Sequence, residues 1–154
     1  MIKIISYFLQ SILIYLFFFV ALLLRLKISR RIFSLIFLIL GPLFKSKKTL
    51  LKNLDNFSII NYNKTKKKII NNMWKNYGMT FVEYMFLNYF RRQNSHVSIK
   101  GEQVLSSIGK NKPVIFVSGH FANFELMSME MTKKNIKLAT IYRPLNNIFL
   151  NPLM

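Results

Sequence analysis

The sequence predicts an α/β protein that is anchored in a membrane by an N-terminal transmembrane helix. Three observations support this prediction. Residues 4–24 carry no charged side chain, apolar residues recur at helical spacing over residues 66–84, and a strand–helix–strand pattern occupies residues 113–142. A chain of 154 residues has room for an anchor and one modest domain. Cysteine is absent, so neither a disulfide framework nor a thiolate metal site is available.

Residues 4–24 form the predicted anchor. As an α-helix these 21 residues extend roughly 32 Å, which is enough to cross the hydrocarbon core of a bilayer. A cleaved signal peptide is the alternative, but its apolar core is usually shorter and is followed by small residues at a cleavage site. Here Leu22, Leu23 and Leu24 lead directly into Arg25. We therefore predict an uncleaved anchor.

The charges on either side of the anchor predict its orientation. Lys3 alone precedes the apolar run, whereas four basic residues follow it closely. These four are Arg25, Lys27, Arg30 and Arg31. Because basic flanks are retained on the cytoplasmic side of a membrane, we expect the rest of the chain in the cytoplasm.

A second apolar stretch covers residues 32–44. It is too short to span a bilayer comfortably, and it contains Gly41 and Pro42. We predict an interfacial or re-entrant segment in the cytoplasmic leaflet. A full second span that recruits neighbouring residues is the alternative.

The charge balance predicts a polyanionic partner. The chain has 23 Lys and Arg residues against 5 Asp and Glu residues, a formal net charge of +18. Such a charge favours nucleic acid or an anionic membrane surface, although a compositional bias toward Ile, Asn, Phe and Lys also explains part of the excess. Because 52% of the residues are hydrophobic, a nucleic-acid-binding domain is disfavoured. Anionic membrane lipid is the predicted partner.

The basic charge is concentrated in residues 45–75, which include nine lysines and one acidic residue, Asp55. Four lysines lie beside three leucines, an arrangement that lets a short helix rest on anionic lipid. They are Lys45, Lys47, Lys48 and Lys52, beside Leu50, Leu51 and Leu54. Each base near such a surface contributes roughly 1 kcal/mol of binding free energy. Lys64 and residues 66–68 are expected on a solvated face.

A longer helix is predicted from residue 66 onward. Apolar side chains recur there at three- and four-residue intervals, with Gly78 as a soft interruption. They are Ile69, Met73, Tyr77, Phe81 and Tyr84. The stripe is typical of core packing, with a lipid-facing groove as the alternative, and Trp74 fits either setting.

The pattern then changes to that of a βαβ unit. Residues 113–118 form a short apolar run between Pro113 and Gly119, residues 123–134 suit a helix, and residues 136–142 suit a second strand. Short connections imply a right-handed crossover and a parallel pair of strands. Sites in such sheets form at the carboxyl ends of the strands. His120 follows the first strand and Arg143 follows the second.

His120 and Glu125 are the candidate catalytic pair. If His120 lies in the loop and Glu125 in the first helical turn, the carboxylate accepts a hydrogen bond from one ring nitrogen and raises the basicity of the other. Such a histidine can take a proton from a hydroxyl that attacks a thioester. The alternative is a structural histidine and a glutamate that complements the helix dipole. His96 has no comparable partner nearby in the sequence and is assigned no role.

Two motifs resemble those of a known family. Residues 113–127 read PVIFVSGHFANFELM and residues 141–147 read IYRPLNN. The first resembles the His-x4-acid motif of the lipid A biosynthesis acyltransferases, the lauroyl- and myristoyl-transferase family of bacterial inner membranes. The second resembles the Y-R-P-x-x-N segment of the same family. The resemblance extends over the whole chain, because an N-terminal span followed by a basic amphipathic region also fits.

The chain departs from the family pattern at three points. It has Ala122 where the family commonly has glycine, and a β-carbon there is expected to crowd a tight turn. It has Phe124 where the family commonly has tryptophan. The family also continues well beyond position 154, with a further arginine and the remaining strands. The expectation from the resemblance is therefore an N-terminal fragment or one half of a split protein.

The resemblance implies acyl transfer from an acyl carrier protein thioester to a hydroxyl of a lipid A precursor or another glycolipid acceptor. His120 would be the general base and Glu125 its orienting partner. Arg143 would bind a substrate phosphate, or else pair with backbone carbonyls at a strand end. Asn123 and Asn146 are candidates for hydrogen bonds that fix the loops. No cofactor, metal or nucleic acid is implied.

The resemblance also completes the predicted organisation. It comprises a transmembrane anchor over residues 1–26, an interfacial basic amphipathic region over residues 27–62, and an incomplete glycerolipid-acyltransferase-like α/β domain over residues 63–154. The implied location is the bacterial inner membrane, with a single pass and a cytoplasmic globular part. A catalytically inactive membrane-anchored fragment or interaction protein is the alternative function, because an exposed parallel strand is rarely stable.

Overall fold

The computed structural model is helical wherever it describes regular structure, and it describes residues 2–45, 47–56, 63–107, 113–119, 121–141 and 143–153. The α-helices in these ranges are α1 (Ile2–Leu23), α2 (Arg25–Phe44), α3 (Lys47–Asp55), α4 (Asn63–Glu83), α5 (Leu87–Arg92), α6 (Gln103–Ser107) and α7 (Glu125–Lys133). Short 3-10 helices cover Tyr84–Phe86 and Ile148–Leu153.

The predicted α/β fold is wrong for the residues that the structure describes, because they contain helices and no strand. Residues 113–119 and 136–141 have no regular secondary structure. Ile115 and Val117 are each 90% exposed, and Ile141 is fully exposed. Parallel strands persist only where both faces of the sheet are covered. The two apolar runs lack that cover in the described residues, so the predicted glycerolipid-acyltransferase-like sheet is not formed there.

The chain divides into two units. The first unit comprises Met1–Phe86 with Ile141–Met154, and the second unit comprises Leu87–Thr140. The predicted boundaries at residues 26 and 62 stay predictions.

Helix α1 confirms the predicted N-terminal apolar helix. Of the helices that the structure describes, it alone is long and apolar enough to cross a membrane. Most of its large apolar side chains are exposed. The hydroxyl of Ser11 is buried and donates to the carbonyl of Phe8 at 2.7 Å, so this polar group is satisfied within the helix.

Helix α2 begins immediately after a sharp break in the chain. Arg25 has a φ of +61°, which ends the path of α1 and redirects the backbone. The fully buried Ser29 connects the end of α1 to the start of α2. Its hydroxyl lies 2.6 Å from the carbonyl oxygen of Ala21 and 2.7 Å from that of Arg25. The apolar residues 32–44 are therefore the second part of one continuous helix, with Pro42 in its last turn.

The core of the first unit lies where α1, α2 and α4 meet. Ala21, Phe33 and Val82 are buried there, one from each helix. Phe18 of α1 stacks on Phe81 of α4, with ring centroids 4.8 Å apart, and Phe33 lies 6.0 Å from the same ring. The apolar stripe predicted for α4 is thus confirmed as core packing at Phe81.

Two glycines allow α2 and α4 to approach closely. A β-carbon at Gly78 of α4 would collide with the backbone carbonyl of Phe33 in α2. A β-carbon at Gly41 of α2 would collide with the ring of Trp74 in α4. Each helix therefore has a glycine where the other helix comes closest. Gly78 lies within the continuous helix α4 and does not interrupt it.

The second unit is held together around the C-terminal end of α7. The ammonium of Lys133 donates to the carbonyl of Phe90 at 2.7 Å and to that of Gln93 at 3.1 Å. It also lies 2.8 Å from the carboxylate of Glu130. These contacts attach the end of α5 to α7.

Candidate active site

The proposed general base, His120, lies outside the residues that the structure describes, as does Tyr142 of the second motif. The residues on either side of His120 are described. The amide of Phe121 donates to the carbonyl of Gly119 at 2.8 Å, so the two neighbours of His120 are hydrogen-bonded to each other. The ring of Phe121 occupies the space that a β-carbon at Gly119 would need.

The loop then turns sharply into α7. Ala122 has a φ of +48°, in the left-handed region that favours glycine. The sharp turn expected at this position is therefore present, with a β-carbon on the left-handed residue. The carbonyl of Asn123 accepts a hydrogen bond from the amide of Leu126 at 3.3 Å and so begins the helical pattern.

Glu125 is the first residue of α7. Its carboxylate therefore lies at the positive end of the helix dipole, where a negative charge is stabilised. Its side chain is half-buried, and Asn123 beside it is 9% exposed. No other residue in the described ranges forms a hydrogen bond or ion pair with the Glu125 carboxylate. The structure brings Asn123 and Glu125 together at one helix start.

Arg143 and Asn146 form a second pair, in the first unit. The Nη2 atom of Arg143 lies 3.5 Å from the Oδ1 atom of Asn146, and both side chains are exposed. At this distance the hydrogen bond is weak. The guanidinium is therefore held loosely and presents its charge to solvent. Asn123 and Glu125 belong to the second unit.

Asn147 ends the motif that contains Arg143, and the sequence assigned it no role. It is buried, its amide nitrogen donates to the carbonyl of Tyr7 at 2.8 Å, and its amide oxygen accepts from the amide of Phe149 at 3.1 Å. The hydroxyl of Tyr15 donates to the carbonyl of Phe149 at 2.8 Å. These bonds attach the segment that follows Arg143 to α1. The Y-R-P-x-x-N motif could have singled out Asn147, because the asparagine of the motif falls on position 147 and not on position 146.

His96, to which the sequence assigned no role, packs within the second unit. Its Nε2 atom lies 3.6 Å from the Oε1 atom of Glu130, and its ring stacks on Phe90 with centroids 4.5 Å apart. The sequence near His96 offers no acidic partner, and the folded chain supplies one from α7. Glu130 also pairs with Lys133, which places His96 in the packing of the second unit.

The chain thus combines an N-terminal helix that is long and apolar enough to cross a membrane with the His120-x4-Glu125 spacing. The model of the bacterial lipid A biosynthesis acyltransferase family matches residues 1–154, and the chain belongs to this family. No curated protein and no solved structure matches the chain significantly. Membership assigns the chain a general function in lipid A acyl transfer, with an acyl donor and a lipid-like acyl acceptor.

Proposed function

We propose that this chain transfers a fatty acyl group from an acyl carrier protein thioester to a hydroxyl of a lipid A precursor. His120 is the general base and Glu125 orients it. The observation that carries the proposal is the family match over the whole chain. The position of Glu125 supports it, because its carboxylate stands at the first residue of α7 and follows His120 closely in the sequence.

The proposed reaction uses these two side chains in sequence. The Glu125 carboxylate accepts a hydrogen bond from one ring nitrogen of His120 and fixes its tautomer. The other ring nitrogen takes the proton from the acceptor hydroxyl as its oxygen attacks the thioester carbonyl. The tetrahedral intermediate then collapses with cleavage of the C–S bond. The carrier thiolate leaves and takes the proton back from the imidazolium.

Arg143 and the basic surface recognise the charged parts of the substrates. Arg143 binds a phosphate of the acceptor, for which an exposed and loosely held guanidinium is suited. Asn146 orients it, and Asn123 holds the loop that precedes Glu125. The net charge of +18 attracts both the acidic carrier protein and anionic lipid. We place the chain in the bacterial inner membrane with a single pass and the residues after α1 in the cytoplasm.

A membrane-anchored interaction protein without catalytic activity is the second candidate. One observation favours it: Ile115 and Val117 precede the His120 loop and are almost fully exposed. Apolar side chains in that setting are suited to a partner surface. This candidate keeps the membrane anchor and the family membership but predicts no acyl transfer.

The two candidates are separated by an assay for acyl transfer. Membranes bearing the full chain are supplied with acyl carrier thioester and lipid A precursor, and the acylated product is measured. Transfer above the level of the His120→Ala variant supports catalysis. Transfer equal to that of the variant contradicts the proposal and leaves the interaction protein.

Glu125→Gln tests the orienting role. Loss of the carboxylate is expected to lower the rate about 100-fold or more, as for removal of a general acid–base group. Glu130→Gln is the matched control, because Glu130 lies on the same helix and its partners are Lys133 and His96. It is expected to keep most of the activity. Equal losses in the two variants would contradict a specific role for Glu125.

A further inference from the structure

A groove lies between the end of α2, α3 and the first part of α4 in the first unit. Its volume is about 560 Å³, which is within the range of pockets that bind small molecules. Its lining includes Leu50, Ile70, Asn71 and Trp74, with Lys45 and Lys67 among the polar residues. None of these residues belongs to the proposed catalytic loop.

The floor of the groove is largely apolar. Leu50 and Trp74 are each 7% exposed, so they are fixed in the packing while one side of each lines the groove. Gly41 explains why the indole lies so close to α2, because any larger residue there would displace the ring. Such a floor is suited to a hydrocarbon chain.

The rim of the groove carries positive charge that no acidic side chain in the described residues neutralises. Lys45 and Lys67 are exposed and form no ion pair there. The neighbouring acid, Asp55, pairs with Lys66. Asn71 adds an amide that can donate a hydrogen bond. An apolar floor beneath two cations and an amide is complementary to an amphiphile with an anionic head.

We propose that this groove binds one anionic phospholipid of the membrane. The head-group phosphate lies between Lys45 and Lys67, with Asn71 as a hydrogen-bond donor, and an acyl chain lies along Leu50 and Trp74. A basic surface alone attracts anionic lipid through its summed charge. The groove adds a discrete site that depends on two particular lysines. An acidic protein partner would satisfy the rim but would leave the apolar floor uncovered.

Trp74 makes the proposal directly measurable, because it is the single tryptophan of the chain. The full chain in uncharged detergent micelles is mixed with phosphatidylglycerol or phosphatidylcholine that carries brominated acyl chains. Bromine quenches indole fluorescence on contact. Phosphatidylglycerol is expected to quench Trp74 at a mole fraction several-fold lower than phosphatidylcholine does. Equal quenching by the two lipids would overturn the proposal.

Paired variants distinguish the discrete site from the general charge. Lys45→Gln with Lys67→Gln is expected to raise the phosphatidylglycerol fraction needed for half-quenching about tenfold, because both head-group contacts are lost. Lys48→Gln with Lys68→Gln removes the same charge from exposed positions outside the groove lining and is expected to have little effect. Equal losses in the two double variants would show that only the summed charge matters. All four lysines are exposed or on the rim, and the helical circular dichroism of each variant checks that the fold is kept.

Discussion

Apart from Gly101, two of the described residues of the second unit have left-handed backbone conformations, and the sequence suits one of them better than the other. Asn135 has a φ of +60° just after α7. Its amide donates to the carbonyl of Thr132 at 3.0 Å, and the amide of Ile136 donates to that of Met131 at 3.2 Å, which is the Schellman pattern of a helix end. Asparagine tolerates this conformation. Ala122, with a φ of +48°, has a β-carbon and no polar group to compensate.

We expect Ala122→Gly to stabilise the protein by about 1 kcal/mol, because relief of the left-handed strain exceeds the entropy that glycine adds to the unfolded chain. The measurement is the thermal unfolding of the full chain in detergent, followed by circular dichroism. Asn135→Gly is the matched control and is expected to change stability by a smaller amount. A lower unfolding temperature for Ala122→Gly would contradict the strain at this turn.

Among single residues, a backbone conformation could be anticipated at Ala122, whereas the burial of Asn147 could not. The crowded turn at Ala122 was implied by the family resemblance, and the conformation concerned is local to that residue. The burial of Asn147 depends on the carbonyl of Tyr7, 140 positions away, so no local pattern indicates it. The partnership of His96 with Glu130 likewise joins two segments that only the folded chain brings together.

The helices of the first unit are held by close backbone contact as well as by aromatic packing. Gly78 was interpreted as a soft interruption of α4, and Gly41 with Pro42 as a feature of a separate segment. In the structure both glycines lie inside continuous helices and at their contact. Glycine is a poor helix former. Here the tertiary contact with Phe33 and Trp74 outweighs that intrinsic cost.

Gly78→Ala is therefore expected to destabilise the protein by roughly 1–3 kcal/mol, although alanine is the better helix former. The added methyl meets a backbone carbonyl of Phe33, which has no alternative rotamer to adopt. Asn72→Ala, at an exposed position of the same helix, is the control and should be neutral or slightly stabilising. Denaturant unfolding of the two variants measures the difference. An unfolding free energy for Gly78→Ala at or above that of the parent would show that α2 and α4 do not approach this closely.

Helices were predictable from the sequence and the sheet was not, for a physical reason. The period of Ile69, Met73 and Phe81 belongs to one continuous segment, and α4 follows it. A short apolar run such as residues 113–118 is compatible with a strand, but a strand also needs a paired neighbour and covered faces. Those requirements are not local. Residues 113–118 have the apolar pattern of a strand, but no neighbouring strand pairs with them among the described residues.

At the scale of the whole molecule, α1 is the described helix that is long and apolar enough to cross a bilayer. The short helix Ile148–Leu153 packs on α1, where the rings of Phe8 and Phe149 lie 5.5 Å apart. At this contact both amide atoms of Asn147 and the hydroxyl of Tyr15 form hydrogen bonds. Satisfied polar groups are a condition for entry into hydrocarbon. The proposed cytoplasmic location of the residues after α1 requires this contact to open, whereas a turn that stays packed on α1 lies in hydrocarbon beside it.

The final prediction concerns the topology that the basic flank of α1 implies. Because the chain has no cysteine, single cysteines report on accessibility without background. Lys3→Cys should react with a membrane-impermeant maleimide added to intact spheroplasts, and Lys52→Cys should react only after permeabilisation. Ile148→Cys, exposed in the isolated chain, should react slowly under both conditions if the turn lies in hydrocarbon beside α1. Labelling of positions 3 and 52 from the same side would show that α1 lies along the surface without crossing. Fast labelling of position 148 after permeabilisation would show instead that the turn stays in water.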